Sequence, residues 1–463
     1  MTQLSEENKG RSEVKDNIPG VFLYIFFPLT LLLIILVPLL NLSGILLWLL
    51  FLVYFIFVLS FFNNQWGLFL FILLRPAIDF SSQEAVLKIA SFNLNLSSLL
   101  GLVILIFTAL LIFKNRAKFK KIKLIIPWLL FLGINLISFI VSFSLFASFE
   151  ELARLLTIFS LFISGFLLVK NSQELTRLVK IIIFSSFIPI GVGFYQLING
   201  SGLREGNETR LLGTFSHPNM FAFFLCFIIV LTVFIYLNNS NKKISSLFYG
   251  FLMLLSLFTL FFTYTRGAWL VAVIFIFIIG LLYYRRFLFS IAVLLFIFYL
   301  FVPSFKERVT TLVNPDPYGS ITWRLDLWQD GFDYFKQKPI IGYGSGTASL
   351  VIAHNRNPRL GSSEPHNDYL RLALNTGVLG LVAYLNLIAI LLISLLRQFF
   401  KQKNSKRHKY YRKQNYKRIS HNKLLIINPT YSLNINTIIK IYFFAIKKPL
   451  FSKEFFILYY SIN

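Results

Sequence analysis

Runs of about 20 apolar residues, repeated along the chain and separated by short polar breaks, constrain this sequence more than any other feature. A helix rises about 1.5 Å per residue, so a run of that length matches a hydrocarbon core about 30 Å thick. Composition agrees: 56% of residues are hydrophobic and only 14% charged, more apolar surface than a soluble chain of this length can hide. The runs fall at roughly 19–39, 43–61, 65–79, 96–113, 125–146, 152–169, 178–197, 219–238, 246–263, 267–284, 287–303 and 368–396. These are about twelve spans, and the fold class is an all-α polytopic membrane protein. No small-residue cleavage site follows the first run, which therefore reads as a retained helix rather than a removed signal peptide. The single cysteine, Cys226, lies inside a run, excluding an internal disulfide or a cysteine-based metal cluster.

Charge orients the spans. The net charge is +26, and from Arg397 to the end the chain holds 15 Lys and Arg against one acid, Glu454. The other basic clusters are Lys114 to Lys123, Lys170 to Lys180, Lys242–Lys243 and Arg285–Arg286. With a cytoplasmic N-terminal segment (1–18), all of these fall on the cytoplasmic side, as the positive-inside rule requires. The charge is thus a topology signal, not a nucleic-acid surface. The tail 397–463 reads as a basic cytoplasmic segment touching anionic lipid, with an aberrant coding sequence as the alternative.

The opposite side receives 80–95, a turn at Glu150–Glu151, 198–218, a turn at Thr265–Arg266, and 304–367. The last is too long for a turn and reads as an extracytoplasmic loop subdomain. Within it, "TWRLDLWQDGFDYF" is an amphipathic helix with Leu325, Trp328, Phe332 and Phe335 on one face and Asp326, Asp330 and Asp333 on another. Such a helix is expected to lie flat on the outer leaflet. The aspartates have a spacing that could bind a hard cation, yet no DxD or histidine cluster accompanies them, so a solvated face is the simpler reading. "GYGSG" at 342–346 lacks the Walker spacing, which argues against nucleotide hydrolysis.

Seven residues on this side could carry chemistry. Arg210 and His217 lie in "ETRLLGTFSHPNMFAFF", Arg266 in "TYTRGAWL", Arg324 in "TWRLDLW", and Glu364, His366 and Asn367 in "SSEPHNDYL". Simpler roles exist for most: Arg210 can be a solvated loop arginine, His217 can cap the helix that follows it, His366 with Asn367 and Asp368 can be a helix N-cap, and Arg324 can snorkel from its helix. Arg266 is harder to dismiss, because an arginine at this side of the membrane runs against the charge bias. Together the set suits one task. Arginines offer planar forks for pyrophosphate, and a neutral histidine can accept a proton from a sugar hydroxyl near pH 7. Glu364 could orient His366 or stabilise its charged form. The outline is glycosyl transfer from a lipid pyrophosphate, with no cofactor and no metal.

At these residues the sequence resembles the O-antigen ligase and polymerase superfamily of bacterial membrane glycosyltransferases. The resemblance rests on an ordered series between about residues 200 and 396: "GTFSHPNMFA", "YTRGAWL", "WRLDLWQDGFDYFKQKPIIGYGSG" and "HNDYLRLALNTGVLGLVAYL". It implies a glycosyltransferase-C-like fold in the bacterial cytoplasmic membrane, acting on an undecaprenyl-pyrophosphate-linked glycan donor and a glycan or lipid acceptor at the extracytoplasmic face. It further implies that Arg266 and Arg324, with Arg210 more loosely, hold the pyrophosphate while His366 activates the acceptor hydroxyl. Gly377 and Gly380 in "NTGVLG" would allow close helix packing behind the site. Family members usually carry further apolar span after the last motif, where this chain has its basic tail. The alternative function is a lipid-linked oligosaccharide flippase, which should show pseudo-repeated halves; the sequence shows no internal repeat.

Overall fold

The computed structural model describes residues 64–79, 85–89, 92–205, 208–238, 243–283, 320–356 and 363–419, with isolated positions between 299 and 310. The segment 1–18, the spans expected at 19–39, 43–61 and 287–303, and the tail beyond Ile419 lie outside the described residues. In chain order the elements are α1 (Asn64–Ile78), β1 (Ala85–Ile89), β2 (Phe92–Asn95), α2 (Leu96–Lys114), α3 (Arg116–Phe119), α4 (Ile125–Ile137), α5 (Leu145–Leu168), α6 (Ser172–Phe184) and α7 (Phe187–Asn199). Then follow β3 (Leu203–Glu205), β4 (Glu208–Arg210), α8 (Pro218–Asn238), α9 (Lys243–Phe261), α10 (Arg266–Tyr283), α11 (Ser320–Gln337), α12 (Ala348–Asn355) and α13 (Asp368–Ile419).

The protein is a polytopic helical bundle. Among the described residues, six stretches are long and apolar enough to cross a membrane: Ser97–Lys114, Leu145–Leu168, Ser172–Asn199, Pro218–Leu237, Lys243–Phe261 and Asp368–Ser394. Ile125–Val141 and Arg266–Leu281 are apolar but shorter. Each helix divides its apolar residues between neighbours and surroundings. On α2, Leu100, Ile104, Phe107 and Leu111 are buried, while Leu102, Ile106, Leu110 and Phe113 are exposed at three- and four-residue steps, the pattern of a helix with one face to the bundle and one to lipid. Polar groups inside are satisfied between helices: Thr108 Oγ1 lies 2.6 Å from Ser164 Oγ and donates to the Ser160 carbonyl at 3.2 Å.

Hydrogen bonds between connecting segments place the functional sequences together at one end of the bundle. Leu211 N donates to Phe262 O at 3.0 Å, and Phe143 N to Tyr343 O at 2.8 Å. Ser345 N donates to Ser138 Oγ at 3.0 Å, and Ser345 Oγ to Asn135 Oδ1 at 2.7 Å. The glycine-rich stretch 339–347 is therefore a joint. It also ties to α13, with Tyr343 N on Leu374 O and Gly344 N on Asn375 O. Gly344, at φ +106, lies so close to the 138–144 turn that a Cβ would sit 2.5 Å from Ser142 Cα; no other residue fits there.

Two expectations change. Glu150 and Glu151 are not in a turn: the chain reverses earlier, and Ser144 caps α5 by accepting from Ala147 N at 3.4 Å. Both acids therefore fall inside the helix. In α11, Leu327 is fully buried against the protein, while Leu325 and Phe332 are exposed. Leu327 joins Tyr343, Ala348, Val351, Ile352 and Leu374 in a second, small core. Gly331 sets this orientation, because it lets Leu370 approach to 2.9 Å of its missing Cβ. Finally, 368–396 is not one straight span. The helix breaks at Gly377 (φ 64, ψ −164) and then runs on to Ile419. A Cβ at Gly377 would collide with the Ile340 carbonyl, so this glycine admits the loop backbone rather than a neighbouring helix.

Candidate active site

The site begins with the hairpin β3–β4, where Leu203 pairs with Arg210 and Glu205 with Glu208. Arg210 is buried, and its guanidinium is committed within the chain. Nε donates to Thr263 O at 2.9 Å, and Nη2 donates to Asn219 Oδ1 at 2.9 Å and to Thr265 Oγ1 at 3.1 Å. Nη1 pairs with Glu205. Three segments thus converge on one side chain: the hairpin, the start of α8, and the 262–265 turn. In that turn Tyr264 holds φ +50, a conformation costly for a residue with a Cβ. Arg266 opens α10 two residues later, half-buried.

His217 precedes α8 and caps it: its Nδ1 accepts from Asn219 N at 3.1 Å, and its carbonyl from Met220 N. With Nδ1 accepting, the neutral ring carries its proton on Nε2. Burial lowers the His217 pKa below its ordinary value, and the charges of Arg210, His366 and Arg324 push the same way against Glu205. Those interactions locate the other half of the site, because Arg324 and His366 come from segments more than 100 residues away in sequence.

His366 stands between the loop and α13 with φ +48. Apart from Tyr264 it is the only non-glycine residue at positive φ among the described residues, and both flank the same site. Backbone outliers of this kind cost about 1–3 kcal/mol and persist where surrounding contacts dictate them. Those contacts are visible here. Trp328 Nε1 donates to Pro365 O at 2.7 Å, and the Trp323 ring lies 5.8 Å from the His366 ring. On the other side, Asn367 Oδ1 accepts from Tyr369 N at 3.1 Å and Leu370 N at 3.3 Å, forming the N-cap of α13. Partial desolvation of the His366 ring, in a residue that stays exposed, then the Arg324 charge, lower its pKa below the usual value, with Glu364 acting in opposition. The imidazole is accordingly neutral at neutral pH. Nε of Arg324 is buried with no hydrogen-bond partner among the described residues. Two of the three α11 aspartates are paired elsewhere: Asp330 binds Arg356 at 2.8 Å and Asp333 binds Lys336 at 2.9 Å.

Residues 251–385 match the family model described as O-antigen ligase. This stretch is an O-antigen ligase family domain. It contains Arg266, Arg324, Glu364, His366 and Asn367; Arg210 and His217 precede it and reach it through the Arg210 bonds to Thr263 and Thr265. The match is narrower than the 200–396 stretch over which the motifs run. A comparison with curated proteins finds no match. The similarity to O-antigen ligase and the apolar helices together support a multi-pass membrane protein.

Sequence reasoning missed a further charged group. Arg154 grips Glu151 with both prongs of its guanidinium, and Arg371 pairs with Asp368 at 3.0 Å. The signal was present: an arginine inside an apolar run, three residues after a glutamate, is expensive unless a function or a partner holds it there.

Proposed function

We propose that this protein transfers or polymerises an undecaprenyl-pyrophosphate-linked glycan at the outer face of the cytoplasmic membrane, building O-antigen, capsule or exopolysaccharide. The observation that carries this reading is His366: a lowered-pKa imidazole, held at positive φ beside Arg324 and His217 at one end of a membrane bundle. The basic loops from Lys114 to Lys123 and from Lys170 to Lys180 follow helices that lead away from that end, so the positive-inside rule puts the site outside.

In the reaction the acceptor hydroxyl attacks the anomeric carbon of the donor sugar. The bond from that carbon to the pyrophosphate oxygen breaks, and its electron pair leaves with undecaprenyl pyrophosphate. His366 takes the hydroxyl proton; such a base contributes roughly 10²- to 10⁴-fold in rate. Arg266 and Arg324 hold the pyrophosphate as its charge develops. Arg210 adds its positive charge and fixes the turn before Arg266. Glu364 stabilises the imidazolium once formed, Asn367 holds the helix start, and His217 stays neutral beside them. No residue of this scheme requires a metal.

The test compares wild type with His366→Ala in the native host at equal membrane level, profiling surface glycan and undecaprenyl-linked glycan together. Loss of surface polymer with accumulation of the lipid-linked form supports the proposal. Accumulated single repeat units mean a polymerase, and long chains mean a ligase. A variant indistinguishable from wild type leaves His366 as a loop residue and sinks the mechanism.

A further inference from the structure

We propose that the gap between the first half of α5 and the start of α13 is the acceptor side of this site, a wet chamber that takes the hydroxyl-bearing sugar to be glycosylated. This rests on the glycan-transfer reading above and gives its second substrate a place.

The chamber is built from two ion pairs on two helices. On α5, Arg154 Nε lies 2.9 Å from Glu151 Oε2 and Nη2 lies 2.5 Å from Oε1. On α13, Arg371 Nη2 lies 3.0 Å from Asp368 Oδ1. The glycine joint touches both helices. A Cβ on Gly346 would sit 2.8 Å from Glu151 Cβ, while the next residues of the same loop bind Asn375, one turn beyond Arg371. Charges act across the gap: Glu364 and Asp368 on Arg154, and Arg371 on Glu151.

Membrane physics makes the gap aqueous. The Arg154 side chain is 41% exposed on a helix long and apolar enough to cross a membrane. A guanidinium in that position is costly against acyl chains and must face water or counter-charge. Among the described residues, the counter-charges that act on it from outside α5 are Asp368, at the start of α13, and Glu364 in the loop before it.

The lining suits sugar rather than pyrophosphate. Three carboxylates, Glu151, Glu364 and Asp368, stand here with two guanidiniums, Arg154 and Arg371, whereas the groups proposed above for the pyrophosphate are arginines. Carboxylates accept from hydroxyls and guanidiniums donate to them. Tyr384, whose ring lies 6.5 Å from Tyr369 and 5.7 Å from Phe131, adds an aromatic wall with a polar tip for a sugar ring to lie against. His366 feels both the Arg324 and the Glu364 charge, as a base serving an acceptor next to a held pyrophosphate must.

Full-length protein in lipid nanodiscs would be titrated with two probes: undecaprenyl pyrophosphate, and the repeat-unit oligosaccharide released from the host's own surface polymer. Arg154→Gln and Arg371→Gln should each weaken oligosaccharide binding about tenfold or more and leave undecaprenyl pyrophosphate binding unchanged. Arg324→Gln should do the reverse. Arg371→Gln opens only a part-exposed pair and keeps the test decisive if Arg154→Gln fails to fold. Unchanged oligosaccharide affinity in Arg371→Gln and Tyr384→Phe overturns the proposal, as does parallel loss of both probes. Failure of the underlying glycan-transfer reading looks different: wild type would then fail to bind undecaprenyl pyrophosphate at all.

Discussion

Replacing Arg210 by Gln tests the core of the site's architecture. Three of its hydrogen bonds run to partners in other segments, Thr263 O, Asn219 Oδ1 and Thr265 Oγ1. Bonds to a charged donor contribute about 1.5–3 kcal/mol each, but not additively. The Glu205 pair adds about 1 kcal/mol or less, because the Glu205 side chain is 50% exposed. Truncation should therefore cost about 3–5 kcal/mol, the range for breaking a buried charged network. Glu205→Gln should cost under about 1 kcal/mol. Arg210→Lys should fall between, since a point charge cannot fork to three acceptors. The assay is unfolding of purified protein in mixed micelles with rising denaturing detergent, followed by tryptophan fluorescence. A loss below about 1 kcal/mol for Arg210→Gln, or equal losses for Arg210→Gln and Glu205→Gln, would falsify the claim that this side chain holds the 262–265 turn.

Two further outcomes follow from backbone geometry and from charge. Gly377→Ala, at φ +64 and facing the Ile340 carbonyl, should cost at least about 3 kcal/mol and deplete the monodisperse fraction on size-exclusion chromatography; Gly133→Ala, with nothing within 4 Å of its Cβ, should be neutral or mildly stabilising. The acid limb of the glycan-transfer rate should lie below the ordinary histidine value of about 6.5, because partial desolvation and Arg324 disfavour the protonated His366 ring. Removing that charge with Arg324→Gln raises the His366 pKa and should move the acid limb to higher pH, so an unmoved limb assigns the titration to another group.

Much of the candidate site was legible because its signals are local. Arg266 was marked by its place in a short turn between two apolar runs, and Asn367 by being a good cap directly before a helix. Arg210 was visible as a candidate for pyrophosphate, but not as the residue that ties the loops together. Nothing in "ETRLLG" says that its guanidinium closes onto a turn more than 50 residues later. Glu151 and Arg154 were hidden for a related reason: an acid pair in an apolar run looks like a break, until the cap at Ser144 and the partner one turn on show that the helix runs through it.

By itself, the sequence determined the solvent this chain folds in, its helical class and the family of its segment 251–385. A bilayer leaves no unpaired backbone to water, so twenty apolar residues can satisfy themselves only as a helix, and that requirement is written locally. Tertiary structure alone decided where α13 breaks, which face of α11 is buried, and which charges meet around His366. Those outcomes rest on contacts between segments far apart in the chain: Ile340 against Gly377, Leu370 against Gly331, Trp328 on Pro365. Periodicity within one segment cannot encode them, because the deciding atoms belong to another.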